Sequence, residues 1–306
     1  MGVATIETRH MAARLWTVVL AAGAGRRLSS VTGGVPKQFW RHGHGPSLLE
    51  ETIARFSPLA MQPQTVVVID ATHRAYFGDA APPAAVDSVV VQPADRGTAN
   101  GVLLALTAVL ESDPDAIVVI TPADHGVVDG PRFRAGVLAA VRHVLSTGEV
   151  VLFGVQPTVA HDDYGWITPA PQGGGALRPV ASFVEKPARE VAARLLVSGS
   201  IWNTMILVAR ARALADLFGE LLPDLAAAFR MVRRVPAADR TAFLAALYRD
   251  LPIADFSRDV LARASGLATY VLPASVGWSD LGTPERLRAW QNHSAGVRQP
   301  AAITAA

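Results

Sequence analysis

The chain has 306 residues, half of them hydrophobic and 18% charged, with 25 glycines and 21 prolines, so disorder, a coiled coil and a collagen-like chain are excluded as its main state. Its 28 basic and 26 acidic side chains leave a formal charge of +2 with no basic stripe or tail, which argues against a nucleic-acid partner. Zero cysteines exclude a disulfide framework, a thiolate nucleophile and a thiolate metal site, and fit a reducing cytoplasm.

Residues 15–22 (LWTVVLAA) are apolar and β-branched without alternation, which predicts a strand covered on both faces. The run is too short to cross a membrane, and Glu7, Arg9 and Arg14 before it make a poor secretory signal, so a cytoplasmic protein without a membrane partner is expected. Similar runs recur at 65–70, 88–92, 116–121 and 150–155, with helical candidates at 48–56, 99–111 and 132–145 between them. Strands alternating with crossover helices predict an α/β fold with a mostly parallel sheet and helices on both faces. After Val155 the rhythm breaks, and a Gly/Pro-rich turn at 169–175 between two extended segments predicts a β excursion. Helical patterns return at 188–198, 211–218, 225–235 and 240–248, a late strand lies at 268–273, and Pro284 can begin a short helix over 284–290. The stretch 292–306 has little periodicity and reads as a flexible tail.

Gly23, Gly25, Arg26 and Arg27 follow the first strand directly, at the carboxyl end where open α/β sheets bind ligands. Glycines there let backbone N–H groups close on a phosphate and arginine adds fixed positive charge, although a purely structural turn has the same appearance. Lys37 and Lys186 are the only two lysines beside 26 arginines. A lysine kept in such a chain can mark a place that needs a compact ammonium, or be a chance survivor. Asp124 in TPADHG and Asp280 in GWSDLGTP both sit at predicted sheet-end turns. They can converge on one Mg²⁺, which takes oxygen ligands, waters and phosphates, or each can simply cap its turn. His125 is a weaker candidate, and no HExxH zinc spacing occurs. Gln92 to Ala99 follows another strand, and the pair Gly97-Thr98 opens a helix with orphan N–H groups suited to a base or phosphate, or with Thr98 as an ordinary N-cap.

LAAGAGRRLSS with VPKQF, then QPADRGTAN, TPADH, VQPTVAHDDYGWI, FVEKP, SIWNTMILV, IADFSRDVL and GWSDLGTP together resemble the sugar-1-phosphate nucleotidyltransferases, most closely the mannose-1-phosphate guanylyltransferases (GDP-mannose pyrophosphorylases). The resemblance implies a Rossmann-like nucleotidyltransferase fold, a mixed, mostly parallel sheet flanked by helices with a β-rich sugar-binding lobe. The catalytic domain would span 12–291, followed by the tail 292–306. It also implies transfer of a guanylyl group from GTP to α-D-mannose 1-phosphate by Mg²⁺-dependent in-line displacement. Ala21, Ala22, Gly23, Gly25 and Arg27 would then bind the triphosphate, Lys37 would reach the reacting phosphates, and Gln92, Gly97 and Thr98 would surround the base. Arg27, Lys37, Asp124 and Asp280 are the implied catalytic set, with Asp124 and Asp280 holding the metal. Gly165, Glu185, Lys186 and Asn203 would take the sugar phosphate, Glu185 on hydroxyls and Lys186 on the phosphate.

Two departures fall on the sugar side: Asp163 and Trp166 where the family commonly has Gly and Tyr, and Thr204-Met205 where it has a Ser-Gly pair. A Met in place of Gly can crowd the approaching sugar. The absence of the β-helix or cupin-like domain that many relatives carry makes a fused second activity unexpected. A homodimer stays open, as do a dTTP- or UTP-dependent glucose-1-phosphate enzyme and a nonenzymatic nucleotide-sugar-binding regulator.

Overall fold

The run LWTVVL, unable to place any face in water, becomes β1 (Leu15–Leu20) at the centre of a parallel group. The computed structural model describes residues 12–60, 64–77, 85–171 and 175–298. β2 (Thr65–Asp70) and β4 (Ile117–Pro122) flank β1 in parallel, and β3 (Ser88–Gln92) lies outside β2. The crossovers are α1 (Leu48–Phe56) and α2 (Thr98–Ser112), and α3 (Gly130–Thr147) follows β4. α1 begins where Ser47 and Glu50 each cap the other's backbone N–H. Because successive strand side chains point to opposite faces, Val118 and Ile120 of β4 share a core with α2, while Ile117 and Val119 share one with α3.

The second half adds β5 (Val150–Val155), β6 (Gly165–Pro169), β7 (Leu177–Glu185), α4 (Arg189–Val197), β8 (Ile201–Arg210), α5 (Ala211–Leu221), α6 (Pro223–Val232), α7 (Ala237–Asp250), β9 (Leu267–Leu272) and α8 (Pro284–Arg298). The strand order is β3-β2-β1-β4-β8-β5-β9-β7-β6 in one mixed sheet. β6 also pairs with β8, so β8, β5, β9, β7 and β6 close into a small barrel at one end. The β excursion expected around 169–175 is the β6–β7 hairpin, and residues 172–174 of its turn lie outside the described residues.

β8 joins the two halves. Its residues 207–210 pair with β4, whereas Ile201 and Trp202 pair with β6. On its other side the register with β5 slips between Leu152↔Leu207 and Gly154↔Asn203. Met205 lies in that slip with φ 57°, a left-handed conformation that costs a residue with a Cβ about 1–2 kcal/mol. The positions around it are fixed by side chains: Thr204 donates to the Phe153 carbonyl at 2.7 Å, and Asn203 Oδ1 accepts from Met205 N–H at 3.2 Å. Local sequence pattern predicts no strand here, because an Asn-Thr-Met interruption hides a strand whose partner changes midway.

α8 runs to Arg298, past Asn292 where sequence periodicity fades, and residues 299–306 lie outside the described residues. No helix among the described residues is long and apolar enough to cross a membrane.

Candidate functional site

The loop after β1 is folded back onto the VPKQF turn. Gly25 has φ 60°, and a Cβ there would lie 2.7 Å from Lys37 N, so both its conformation and its packing demand glycine. Gln38 holds the loop from beneath: its buried amide donates to the carbonyls of Ala21 at 2.7 Å and Gly23 at 2.9 Å. Gly23 and Arg27 are left exposed, Ala22 half-buried and Ala21 buried. Arg27 reaches across to Asp163 at 3.4 Å, linking the glycine loop to the turn before β6.

With the loop so placed, Lys37 is buried and its ammonium sits 3.0 Å from Asp124 Oδ2. The same ammonium donates to the backbone carbonyl of Asp280. The turns that carry the two aspartates are joined by an isolated antiparallel bridge between Gly126 and Ser279, with N–H···O contacts of 2.8 and 3.0 Å. Gly126 must be small: a Cβ would fall 2.4 Å from Trp290 Nε1. Burial works against ionising Asp124, yet Lys37 and then His125 hold its carboxyl below the usual carboxylate range. His125 is itself pushed down to about 4, chiefly by burial, so it is neutral near pH 7.

Asp280 has a cation of its own. Arg286, in the first turn of α8, places Nη1 3.0 Å from each carboxylate oxygen and also donates to Tyr164 Oη at 2.6 Å. Leu281, φ 49° and fully buried, turns the chain immediately after Asp280. Asp124 and Asp280 are hard oxygen donors of the kind Mg²⁺ takes. Among the described residues no group of three or more Asp, Glu, His or Cys could hold a metal.

A second cluster forms where β6, β7 and β8 meet. Gly165 faces Glu185 across the β6–β7 ladder, and a Cβ on it would lie 2.5 Å from Glu185 Oε2 and 3.3 Å from Asn203 Cβ. Burial first, then Asp255, pushes the Glu185 carboxyl up to about 7, against the opposing pull of Lys186 and Arg258. Lys186, left-handed at φ 43°, lies 3.9 Å from Glu185 Oε1 with its side chain half exposed. Tyr164 links this cluster to the first: its ring stacks on Trp202 at 4.4 Å, its carbonyl accepts from Lys186 N–H at 3.2 Å, and its hydroxyl meets Arg286.

The third expected group lies at the end of β3 and the start of α2. Gln92 is buried against Gly101 of α2. Gly97, φ 86°, packs so tightly on the Ala254 carbonyl that a Cβ would approach it to 2.3 Å. Gly97 is the N-cap of α2, and the Thr98 hydroxyl accepts from Phe256 N–H at 2.8 Å. Arg96 adds hydrogen bonds of 2.8 Å to the carbonyls of Tyr248 and Arg249. The loop is thus clasped to the segment 248–256, which leads to Asp255 and Arg258 beside Glu185.

The structure therefore gathers Lys37, Asp124 and Asp280 in one cluster and Gly165, Glu185, Lys186 and Asn203 in another, while Arg27 bridges to Asp163 at the rim. Gln38, Tyr164 and Arg286 do not stand out in the sequence. Gln38 and Tyr164 lie inside segments that carry the resemblance, but Arg286 is one arginine among 26.

The profile of the Nucleotidyl transferase family matches residues 16–295. A mannose-1-phosphate guanylyltransferase from Salmonella typhimurium is 28% identical over 287 residues, covering 88% of this chain and 58% of its own. Another, from Escherichia coli, is 28% identical over 299 residues, covering 92% and 61% respectively. The chain thus spans about three-fifths of the length of these curated relatives. Among solved structures, one described as a mannose-1-phosphate geranyltransferase from Thermus thermophilus superposes with a TM-score of 0.78 at 26% identity, covering 91% of this chain and 79% of that one.

Proposed function

The chain belongs to the nucleotidyl transferase family, and from that premise we propose that it transfers a guanylyl group from GTP to α-D-mannose 1-phosphate, giving GDP-mannose and pyrophosphate. The observation that carries this reading is the Lys37 ammonium set between the Asp124 carboxylate and the Asp280 backbone, beside a glycine loop pinned open by Gln38. The guanylyltransferase relatives favour GTP and mannose 1-phosphate over other members of the same reaction class.

In this reading a phosphate oxygen of mannose 1-phosphate attacks the α-phosphorus of GTP, the bond from that phosphorus to the bridging oxygen breaks, and pyrophosphate leaves. The attacking phosphate is already ionised near neutral pH, so no general base is required. Catalysis then rests on positioning and on neutralising charge. Glycine-loop N–H groups and Arg27 receive the triphosphate, and Lys37 faces the reacting phosphates with its direction set by Asp124. Glu185 and Asn203 orient sugar hydroxyls, and Lys186 takes the sugar's phosphate. Mg²⁺ held by Asp124 and Asp280 would supply charge neutralisation across the phosphates of both substrates.

The nucleotide assignment is tested by offering GTP, dTTP, UTP and ATP at matched concentration with mannose 1-phosphate, then glucose 1-phosphate, and following pyrophosphate. GTP with mannose 1-phosphate is expected to be fastest. Faster release with dTTP or UTP would move the chain to the thymidylyl or uridylyl branch, and no release with any pair would favour a nonenzymatic binder.

Glu185 gives a pH test. With its carboxyl raised to about 7, it is largely protonated at pH 6 and ionised at pH 8, and the ionised form accepts from sugar hydroxyls the more strongly. KM for mannose 1-phosphate should therefore fall as pH rises through 7. The substrate's own second ionisation near about pH 6 contributes a separate step. Glu185→Gln should keep that lower step and lose the upper one; an unchanged upper step in the variant would remove Glu185 from the sugar site.

A further inference from the structure

Both carboxylates expected to hold the divalent ion already face a cation: Lys37 stands 3.0 Å from Asp124, and Arg286 stands 3.0 Å from each oxygen of Asp280. The two pairs carry no net charge, so neither carboxylate is left without a counter-ion. The pairs differ in how they are held. Lys37 is buried and also bonded to the Asp280 backbone, whereas the Arg286 side chain is 29% exposed and its other contact is with the neutral Tyr164 phenol. Arg286 lies in the first turn of α8, and its contact with Asp280 is open to solvent on one side.

We propose that Arg286 is a resident counter-ion for Asp280, a positioning residue that a divalent cation must displace before Asp280 can coordinate it. One guanidinium nitrogen in contact with both carboxylate oxygens takes acceptor sites that a metal would otherwise use. Two like charges cannot share those oxygens at close range without a large Coulomb cost. Arg286 therefore weakens metal binding in the absence of nucleotide and keeps the aspartate oriented until an ion arrives with phosphates. The hydrogen bond to Tyr164, whose ring and carbonyl belong to the second cluster, ties the resting position of the guanidinium to the sugar side. The inference rests on the proposed role of Asp280 as a metal ligand.

The test is Mn²⁺ binding to the full chain without nucleotide, read from the electron paramagnetic resonance signal of free Mn²⁺, so that turnover plays no part. Arg286→Gln removes the charge and is expected to tighten Mn²⁺ at least about tenfold, a conservative figure for one adjacent unit charge at a partly exposed site. Arg286→Lys keeps the charge and is expected to stay within about threefold of the parent, which separates electrostatic competition from a general disturbance of α8. Asp280→Asn should weaken Mn²⁺ in the parent. If it does not, Asp280 is not a ligand and the metal assignment itself fails. If Asp280→Asn weakens binding but Arg286→Gln leaves it unchanged or weaker in a folded protein, the metal assignment stands and the counter-ion role is overturned.

Discussion

Replacing Lys37 by Met is expected to lower turnover by about 10³-fold at saturating substrates, the upper range for losing one preorganised charge at a developing transition state. The side chain is buried, and Met keeps much of its volume while removing the ammonium that joins Asp124 to the Asp280 backbone. Two effects add: the reacting phosphates lose a fixed cation, and Asp124 loses the partner that holds its carboxyl low against burial. Arginine is not expected to rescue. Its planar fork is larger than an ammonium, and the Lys37 side chain is buried. Turnover within tenfold of the parent, with native circular dichroism, would place Lys37 outside the chemistry.

Asp124→Asn and Asp280→Asn should each lower turnover by at least about 10²-fold. Asparagine preserves shape and removes charge, so the loss reports electrostatics and metal coordination. The single changes are not equivalent in what they release: Asp124→Asn frees Lys37, while Asp280→Asn frees Arg286. If both aspartates serve one ion, the double replacement costs much less than the product of the two, because residues acting as a unit are not additive. Near-normal turnover of the Asp280 variant at low Mg²⁺ would mark Asp280 as a turn residue. A full product of effects in the double variant would separate the two aspartates into independent roles.

Much of the parallel half was legible in the sequence, because a strand buried on both faces writes itself as an unbroken apolar run. TVVVID and SVVVQ coincide with β2 and β3, and the capped LLEETIARF coincides with α1. β8 was not legible: it is defined by pairing with three strands distant in sequence, and its own pattern is broken at Asn203, Thr204 and Met205 where those partners change. The helix of 284–290 proved longer for a similar reason, since polar residues beyond Asn292 carry no apolar period even where the backbone stays helical.

The site divides in the same way. Lys37 stands out as one of two lysines, and Asp124 and Asp280 as carboxylates at sheet-end turns, but nothing local shows that a two-residue bridge between Gly126 and Ser279 joins the two turns. Arg286 gave no signal because arginine is the chain's ordinary cation, and only its position opposite Asp280 distinguishes it. Gly97 and Thr98 stand out in the sequence as a helix start with orphan N–H groups, and Gln92 joins them through the resemblance. Gly97 and Thr98 also clasp the segment 248–256, a long-range packing that motif spacing does not encode.

The most direct measurement is the product balance of the purified chain with GTP, mannose 1-phosphate and Mg²⁺, following GDP-mannose by mass spectrometry and pyrophosphate in the same samples. The expected result is one GDP-mannose for each pyrophosphate, with neither formed when mannose 1-phosphate is left out, because the sugar phosphate is itself the nucleophile. Pyrophosphate released without mannose 1-phosphate, or none formed with it, would contradict guanylyl transfer at the Lys37–Asp124–Asp280 cluster.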